Sequence, residues 1–227
     1  MVGCTAKLER RLAKSGFHLI AGTDEVGRGC LAGPVVAAAV ILNLKDIPEG
    51  IDDSKKLTRG EREALAAEIH KRAVALSICR VEHTEIDRIN ILRASLLAMV
   101  NAVKGLRPSA EYVLIDGRFQ LSELNCPQKA VIDGDALSVS IGAASIVAKV
   151  ARDGWMTGYD RQYPGYGFAS HFGYSTKMHR EAIGRLGPSP IHRVTFQGVV
   201  SFQPSLFSDE AVLSLPGADG AGPQGIA

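Results

Sequence analysis

Residues 20–36 read Ile-Ala-Gly-Thr-Asp-Glu-Val-Gly-Arg-Gly-Cys-Leu-Ala-Gly-Pro-Val-Val. An apolar run leads into two adjacent carboxylates, Asp24 and Glu25, and then into a glycine-flanked arginine, Gly27-Arg28-Gly29. Neighbouring strand residues point to opposite faces, so these two acids converge on one ligand only where the strand ends or bulges. The glycines permit such a bend. Taken alone, an Asp-Glu pair here reads as a solvated hairpin turn. The rest of the chain argues otherwise, because it delivers more acids to the ends of apolar segments.

Phe17 to Thr23 and Val35 to Leu42 read as two buried strands, paired antiparallel across a turn that starts at Asp24. Thr58 and Glu61 have capping-box spacing for a helix reaching about residue 72, and Ala73 to Val81 reads as a third strand. Residues 84–103 carry Ile86, Ile89, Leu92, Leu96 and Met99 at three- and four-residue steps, which predicts one helix closed by Gly105 and Pro108. Tyr112 to Ile115 forms a short strand that runs into Asp116-Gly117, and Lys129 to Ile132 another that runs into Asp133-Gly134-Asp135. Residues 135–149 repeat apolar positions at helical spacing, with Asp135 where an N-cap would sit. A Gly- and aromatic-rich loop follows over residues 163–174, then a basic helix over 175–186. This order points to an α/β sheet with its site along one edge. Strand order is not legible in the pattern.

At 227 residues with 46% apolar content the chain suits one domain, expected to fold alone and as a monomer. The longest apolar run is far too short to span a bilayer and the amino terminus lacks an apolar signal core, so a soluble, cytoplasmic protein is expected. The four cysteines are scattered without a C-x-x-C pair, which indicates neither a zinc site nor a disulfide framework. The net charge of +2 is uneven, because the segment after Phe207 holds three acids and no Lys or Arg, leaving +5 on residues 1–207. That excess permits a nucleic-acid partner without demanding one. The expected division is an N-terminal extension over 1–16, one main domain over 17–202 and a Pro- and Gly-rich disordered tail over 203–227.

Asp24, Glu25, Asp116 and Asp135 are the candidate acids. Brought within a few ångströms of one another they would repel strongly unless cations lay among them, so clustering implies metal. Oxygen-only donors beside glycines favour the hard ions Mg²⁺ or Mn²⁺, and a two-ion site can serve phosphodiester hydrolysis. Each acid also has an ordinary explanation: Asp135 as a helix cap, Asp116-Gly117 as a turn.

Several blocks then fall in a familiar order. They are Thr23 to Gly29 with Leu31 to Val36, Asp53-Ser54-Lys55-Lys56-Leu57-Thr58, Leu114-Ile115-Asp116-Gly117, and Gly134-Asp135 with Ala143 to Val150 and Arg152-Asp153. Tyr163-Pro164, Gly173-Tyr174 and His192-Arg193 complete the series. Together they resemble bacterial ribonuclease HII over about residues 17–197. The resemblance implies a ribonuclease H-like fold, a mixed five-stranded sheet flanked by helices with a small helical C-terminal part. It implies endonucleolytic hydrolysis of RNA in RNA–DNA hybrids and incision at single ribonucleotides in duplex DNA, leaving 3′-hydroxyl and 5′-phosphate ends.

By the same resemblance, Asp24, Glu25, Asp116 and Asp135 are the catalytic, metal-binding acids. Gly27-Arg28-Gly29 would sense the 2′-hydroxyl, and Tyr174 would pack on the following deoxyribose. Lys55, Lys56, Lys177, Arg180 and Arg193 are candidates for phosphate contacts. Two positions depart from the family pattern: Asp133 stands where Lys commonly precedes Gly-Asp, and Phe172 stands where a Lys usually follows the His. The rival readings are another metal-dependent nuclease or resolvase of this fold, and a hybrid-binding protein without catalysis. Finally, Gln203-Pro204-Ser205-Leu206-Phe207 resembles the Gln-x-x-Leu-Phe peptide by which many bacterial replication and repair proteins bind the sliding clamp.

Overall fold

A computed structural model describes residues 4–52 and 54–199. The tail peptide at 203–207 and Asp53 lie outside these residues. In chain order the elements are α1 (Lys7–Lys14), β1 (Ile20–Val26), β2 (Val35–Leu42), α2 (Arg59–Arg72), β3 (Ala73–Val81), α3 (His83–Ile89) and α4 (Ile91–Lys104). They continue as β4 (Tyr112–Asp116), β5 (Gln128–Val131), α5 (Gly134–Leu137), α6 (Val139–Gln162), α7 (Phe168–His171) and α8 (Lys177–Leu186). The five strands form one mixed sheet in the order β3-β2-β1-β4-β5. The β1–β2 and β2–β3 pairs are antiparallel, whereas β1–β4 and β4–β5 are parallel.

β2 is buried along its whole length, and its alternating side chains divide between two cores. Val35, Ala37, Ala39 and Ile41 face α4 with Ala94, Ala98 and Met99. Val36, Ala38, Val40 and Leu42 face α2 and α6 with Ile69, Ala143 and Ile146. β2 therefore reads as one apolar run, as expected of a strand covered on both faces.

The same alternation corrects the expectation for Asp24 and Glu25. β1 neither ends nor bulges at them; it stays in regular register with β2, with Asp24 opposite Ala38 and Glu25 opposite Ala37. Asp24 thus shares the α6 face of β1 and Glu25 the α4 face. They still border common space because the β1–β4 ladder stops at the Thr23–Ile115 pair, two residues short of Glu25.

The single helix expected over 84–103 is two helices, broken at Asn90, whose φ of 70° is incompatible with a continuous helix. The Asn90 side chain accepts the Arg93 N–H and restarts the chain as α4. Likewise the helix expected over 135–149 divides: Asp135 lies in the short α5, while Ser138 caps α6 by accepting the Ile141 N–H. The Thr58–Glu61 capping box on α2 forms as expected. The segment expected as an extension includes α1, whose Leu8, Leu12 and Ala13 pack with Ile20, Leu114 and Ile141. On the same helix, fully buried Glu9 accepts the Ser140 N–H at 3.0 Å, a carboxylate at the start of α6 where the helix dipole favours it.

α6 crosses β1 so closely that a β-carbon on Gly22 would lie 2.1 Å from the Ser140 carbonyl carbon. Backbone cannot yield as a side-chain tip can. Gly22→Ala should therefore destabilise the fold by about 3 kcal/mol or more, a fall in Tm of roughly 6 °C or more, checked by thermal unfolding.

Candidate active site

The C-terminal ends of β1 and β4 and the start of α5 bring the four predicted acids to one cleft of about 230 Å³, which Ser54, Lys55, Ser145, Lys149 and Tyr174 also line. A second cavity of about 280 Å³ lies on the α4 side and shares Glu25 and Asp116 with the first. It adds Arg28, Leu92, Met99 and Phe119.

Each acid has a local reason for its position. Asp24 is 7% exposed; its Oδ1 accepts the Glu25 N–H at 2.7 Å, and the Ser145 side chain also bonds to it. Ser145 in turn shares a 3.0 Å hydrogen bond with Ser54. Asp116 accepts the Gly134 N–H at 2.8 Å, tying the end of β4 to the start of α5. Gly134 is required there, since a β-carbon would lie 3.1 Å from Asp116 Oδ1 and 2.6 Å from Ile141. Glu25 accepts from Arg28 Nη1 at 3.0 Å, and Asp135 from Lys55 Nζ at 3.1 Å.

Charge crowding shows in the acidities. Burial first, then the neighbouring Glu25, Asp116 and Asp135, hold Asp24 well above the usual carboxylate range, against the opposing Ser145 hydrogen bond. Glu25 is raised by burial, with Arg28 pulling the other way, and Asp116 is raised by burial and by Asp135. The cleft contains negative charge that neither water nor protein fully compensates.

A divalent ion suits this donor set in kind: the acids are hard oxygen ligands, and no His or Cys lines the cleft. Among the described residues, however, no three His, Cys, Asp or Glu side chains stand arranged as ligands of a single ion. Glu25 and Asp135 are instead held by Arg28 and Lys55. Each cation engages one oxygen of its carboxylate, Glu25 Oε1 and Asp135 Oδ2, which leaves the other oxygen of each as a donor for an ion.

The remaining expected residues separate by environment. Gly27, at φ 95°, has no room for a side chain, because a β-carbon would sit 2.2 Å from Arg152 Nε. Gly29 is open on that side, with nothing within 4 Å. Tyr174 is 37% exposed at the cleft, beneath Lys149 Nζ at 5.3 Å from its ring. Lys56 pairs with Asp52, Lys177 with Glu181, and Arg180 bonds Ser175; none of the three lines the acid cleft.

Arg193 needs correction as a phosphate contact. It is fully buried and spends its guanidinium on the carbonyls of Gly33, Arg28 and Gly27 at 3.0, 2.9 and 2.7 Å, so it does not face a backbone phosphate. Of the two departing positions, Asp133 is exposed at φ 52°, and Phe172 at φ 49° carries Lys149 Nζ 5.0 Å above its ring.

Ser54, Ser145 and Lys149 were not singled out from the sequence. Ser145 and Lys149 stand four residues apart on α6, the spacing that puts both on one face, but an apolar-periodic helix drew attention to its packing residues instead.

Comparison with known proteins agrees with this architecture. The family model described as Ribonuclease HII matches residues 21–199. The Ribonuclease HII of Geobacter metallireducens is 53% identical over 191 residues, covering 84% of this chain and 89% of the relative. Among solved structures, the ribonuclease H2 of Pyrococcus horikoshii OT3 superposes with a TM-score of 0.70 at 27% identity, covering 81% of this chain and 96% of that one. The PCNA:RNase HII complex from Archaeoglobus fulgidus matches with a TM-score of 0.64 at 29% identity, covering 74% of this chain and 87% of that one. Family model, sequence and fold converge: the chain belongs to the ribonuclease HII family, endonucleases that degrade the RNA of RNA–DNA hybrids.

Proposed function

We propose that this ribonuclease H incises duplex DNA at single embedded ribonucleotides as well as long hybrids, as in ribonucleotide excision repair, using two Mg²⁺ or Mn²⁺ ions. The convergence of Asp24, Glu25, Asp116 and Asp135 on one cleft beside Tyr174 carries this reading. These four acids would hold the ions, which when bound supply activation of water and stabilisation of the leaving oxygen, giving 3′-hydroxyl and 5′-phosphate ends.

The chain's own groups set the rest. Ser145 and the Glu25 N–H fix Asp24 in one orientation. Lys55 and Arg28 offset the charge of Asp135 and Glu25, and the exposed Lys55 ammonium at the cleft would contact the substrate phosphate. Gly27-Arg28-Gly29 reads the 2′-hydroxyl, and Tyr174, with Lys149 and Arg152 near its ring at 5.3 and 5.7 Å, packs on the next deoxyribose. Exposed Lys56, Lys177 and Arg180 add non-specific attraction to the backbone.

The deciding assay uses a duplex with one ribonucleotide beside its all-DNA twin. Cleavage of the first alone, with Mg²⁺ or Mn²⁺ and not with chelator, is expected; cutting of the twin would favour a resolvase-like nuclease. A binding protein without catalysis would cut neither.

Asp24→Asn should lower the cleavage rate by about 10³-fold or more, because it removes a charge that acts in the transition state. In metal-free protein it should do the opposite to stability, raising Tm by roughly 2–4 °C per kcal/mol of repulsion relieved. A raised carboxyl stabilises the fold when protonated. In metal-free wild type that contribution is complete below about pH 4 and disappears as pH climbs through the raised Asp24 value, so the advantage of Asn should grow from acid towards neutral pH. Thermal unfolding of both proteins across that range checks the sign.

A sliding clamp is the partner proposed for Gln203-Pro204-Ser205-Leu206-Phe207. The motif supports it, as does the likeness to a PCNA:RNase HII complex from Archaeoglobus fulgidus. A peptide spanning 203–208 should bind purified clamp, and its Leu206→Ala, Phe207→Ala version should not; equal or absent binding of both rejects the idea.

A further inference from the structure

Arg152 and Arg193 are both fully buried, yet neither has a carboxylate within ion-pair distance among the described residues. Burying a guanidinium without a counter-ion is costly, so what these groups hold in place matters. Both hold the loop that follows the Asp-Glu pair. Arg152 donates to the carbonyls of Pro34, Ala32 and Phe172 at 3.0, 3.2 and 2.8 Å, and its side chain packs against Gly27 where a β-carbon would be. Arg193 donates to Gly33, Arg28 and Gly27, reaching consecutive peptide carbonyls with its two terminal nitrogens.

The consecutive pair has a geometric consequence. In a planar trans peptide the carbonyl and the following N–H point in opposite directions. With the Gly27 and Arg28 carbonyls both turned towards one buried guanidinium, the N–H groups of Arg28 and Gly29 must both turn away from it. Arg28 and Gly29 are exposed, whereas Gly27 is buried, and neither N–H has a hydrogen-bond acceptor among the described residues. Desolvation pushes the Arg193 pKa down to about 10, still far above neutrality, so the clamp remains charged in use.

We propose that Arg193 is a positioning residue for sugar recognition: by pinning the Gly27 and Arg28 carbonyls it presents the Arg28 and Gly29 N–H groups together as a paired donor seat for the ribose 2′-hydroxyl oxygen. This rests on the reading that the Gly27–Gly29 turn senses that hydroxyl. A lysine cannot reproduce the clamp, since a single ammonium lacks the planar fork that reaches three carbonyls at fixed angles. Arg193 touches no substrate; it acts through the two peptides it orients.

The test compares affinity for a duplex bearing one ribonucleotide with that for its all-DNA twin, measured by fluorescence anisotropy with Ca²⁺ replacing the catalytic ion. Wild type should prefer the ribonucleotide duplex by about tenfold, the effect of a well-made polar contact. Arg193→Lys should bring that ratio close to one while leaving affinity for the all-DNA duplex within about twofold. Equal weakening on both duplexes would show a merely structural role and overturn the proposal, as would an unchanged ratio. If wild type itself shows no preference, the 2′-hydroxyl reading fails instead.

Amide hydrogen exchange on the wild-type enzyme keeps the proposal open to rejection even if the lysine variant does not fold. The Arg28 and Gly29 amides should exchange rapidly in free enzyme and be protected by the ribonucleotide duplex but not by its twin. Slow exchange in the free enzyme, or protection by both duplexes alike, rejects the outward seat.

Discussion

Repulsion among carboxylates withdrawn from water is the constraint that the rest of this structure answers. Asp24 lies in a cleft with three other acids, and burial adds to the repulsion by removing the solvent that would screen it. Such a cluster persists only if the scaffold pins its members and cations stand close. Here the pins are backbone groups, the Glu25 N–H on Asp24 and the Gly134 N–H on Asp116, whereas the cations are side chains that can swing away, Lys55 and Arg28. Rigid donors set the positions, and movable ones leave room for ions to enter.

The sheet explains why residues so far apart in sequence meet. β1 and β4 are parallel neighbours, so their C-terminal ends lie on the same edge, and β1 outruns the ladder at Thr23–Ile115. The next carboxylates, Asp24 and Glu25 on one strand and Asp116 on the other, therefore face an opening that no strand fills. α5 begins there too, and Gly134 lets its backbone approach Asp116. Placing ligands beyond the carboxyl ends of parallel strands is a general habit of α/β sheets.

Where structure followed from neighbouring residues it was legible in the sequence. β2 and β3 follow their apolar and β-branched runs, and the Thr58–Glu61 capping box starts α2. Periodicity misled at Asn90, because Ile86, Ile89 and Leu92 keep helical spacing across the break and only the backbone angle of Asn90 betrays it. α6 runs on to Gln162, through Gly154 and Gly158, whose helix-weakening effect its packing overrides. The acids could be named from their motifs. That Asp24 and Glu25 border one cleft from opposite faces of a regular strand could not, since that depended on where the β1–β4 ladder stops. Arg193 was misread for a plain reason: arginines are rarely buried, and its partners lie 160 and more residues away in the chain.

The site thus combines two kinds of order. The acids sit in an electrostatically loaded cleft where the exposed side chains of Arg28 and Lys55 pair with Glu25 and Asp135. The Gly27–Gly29 turn is held differently: its carbonyls accept from a buried guanidinium, and rotating them away would leave that group with Gly33 alone of its three acceptors. A hydroxyl is a small feature by which to tell one sugar from another, and a donor pair set before the substrate arrives loses less in binding it than a pair that must be ordered on contact. Under the proposed function, discrimination would rest on the stiff element and chemistry on the adaptable one, with Glu25 and Arg28 joining them through a 3.0 Å contact.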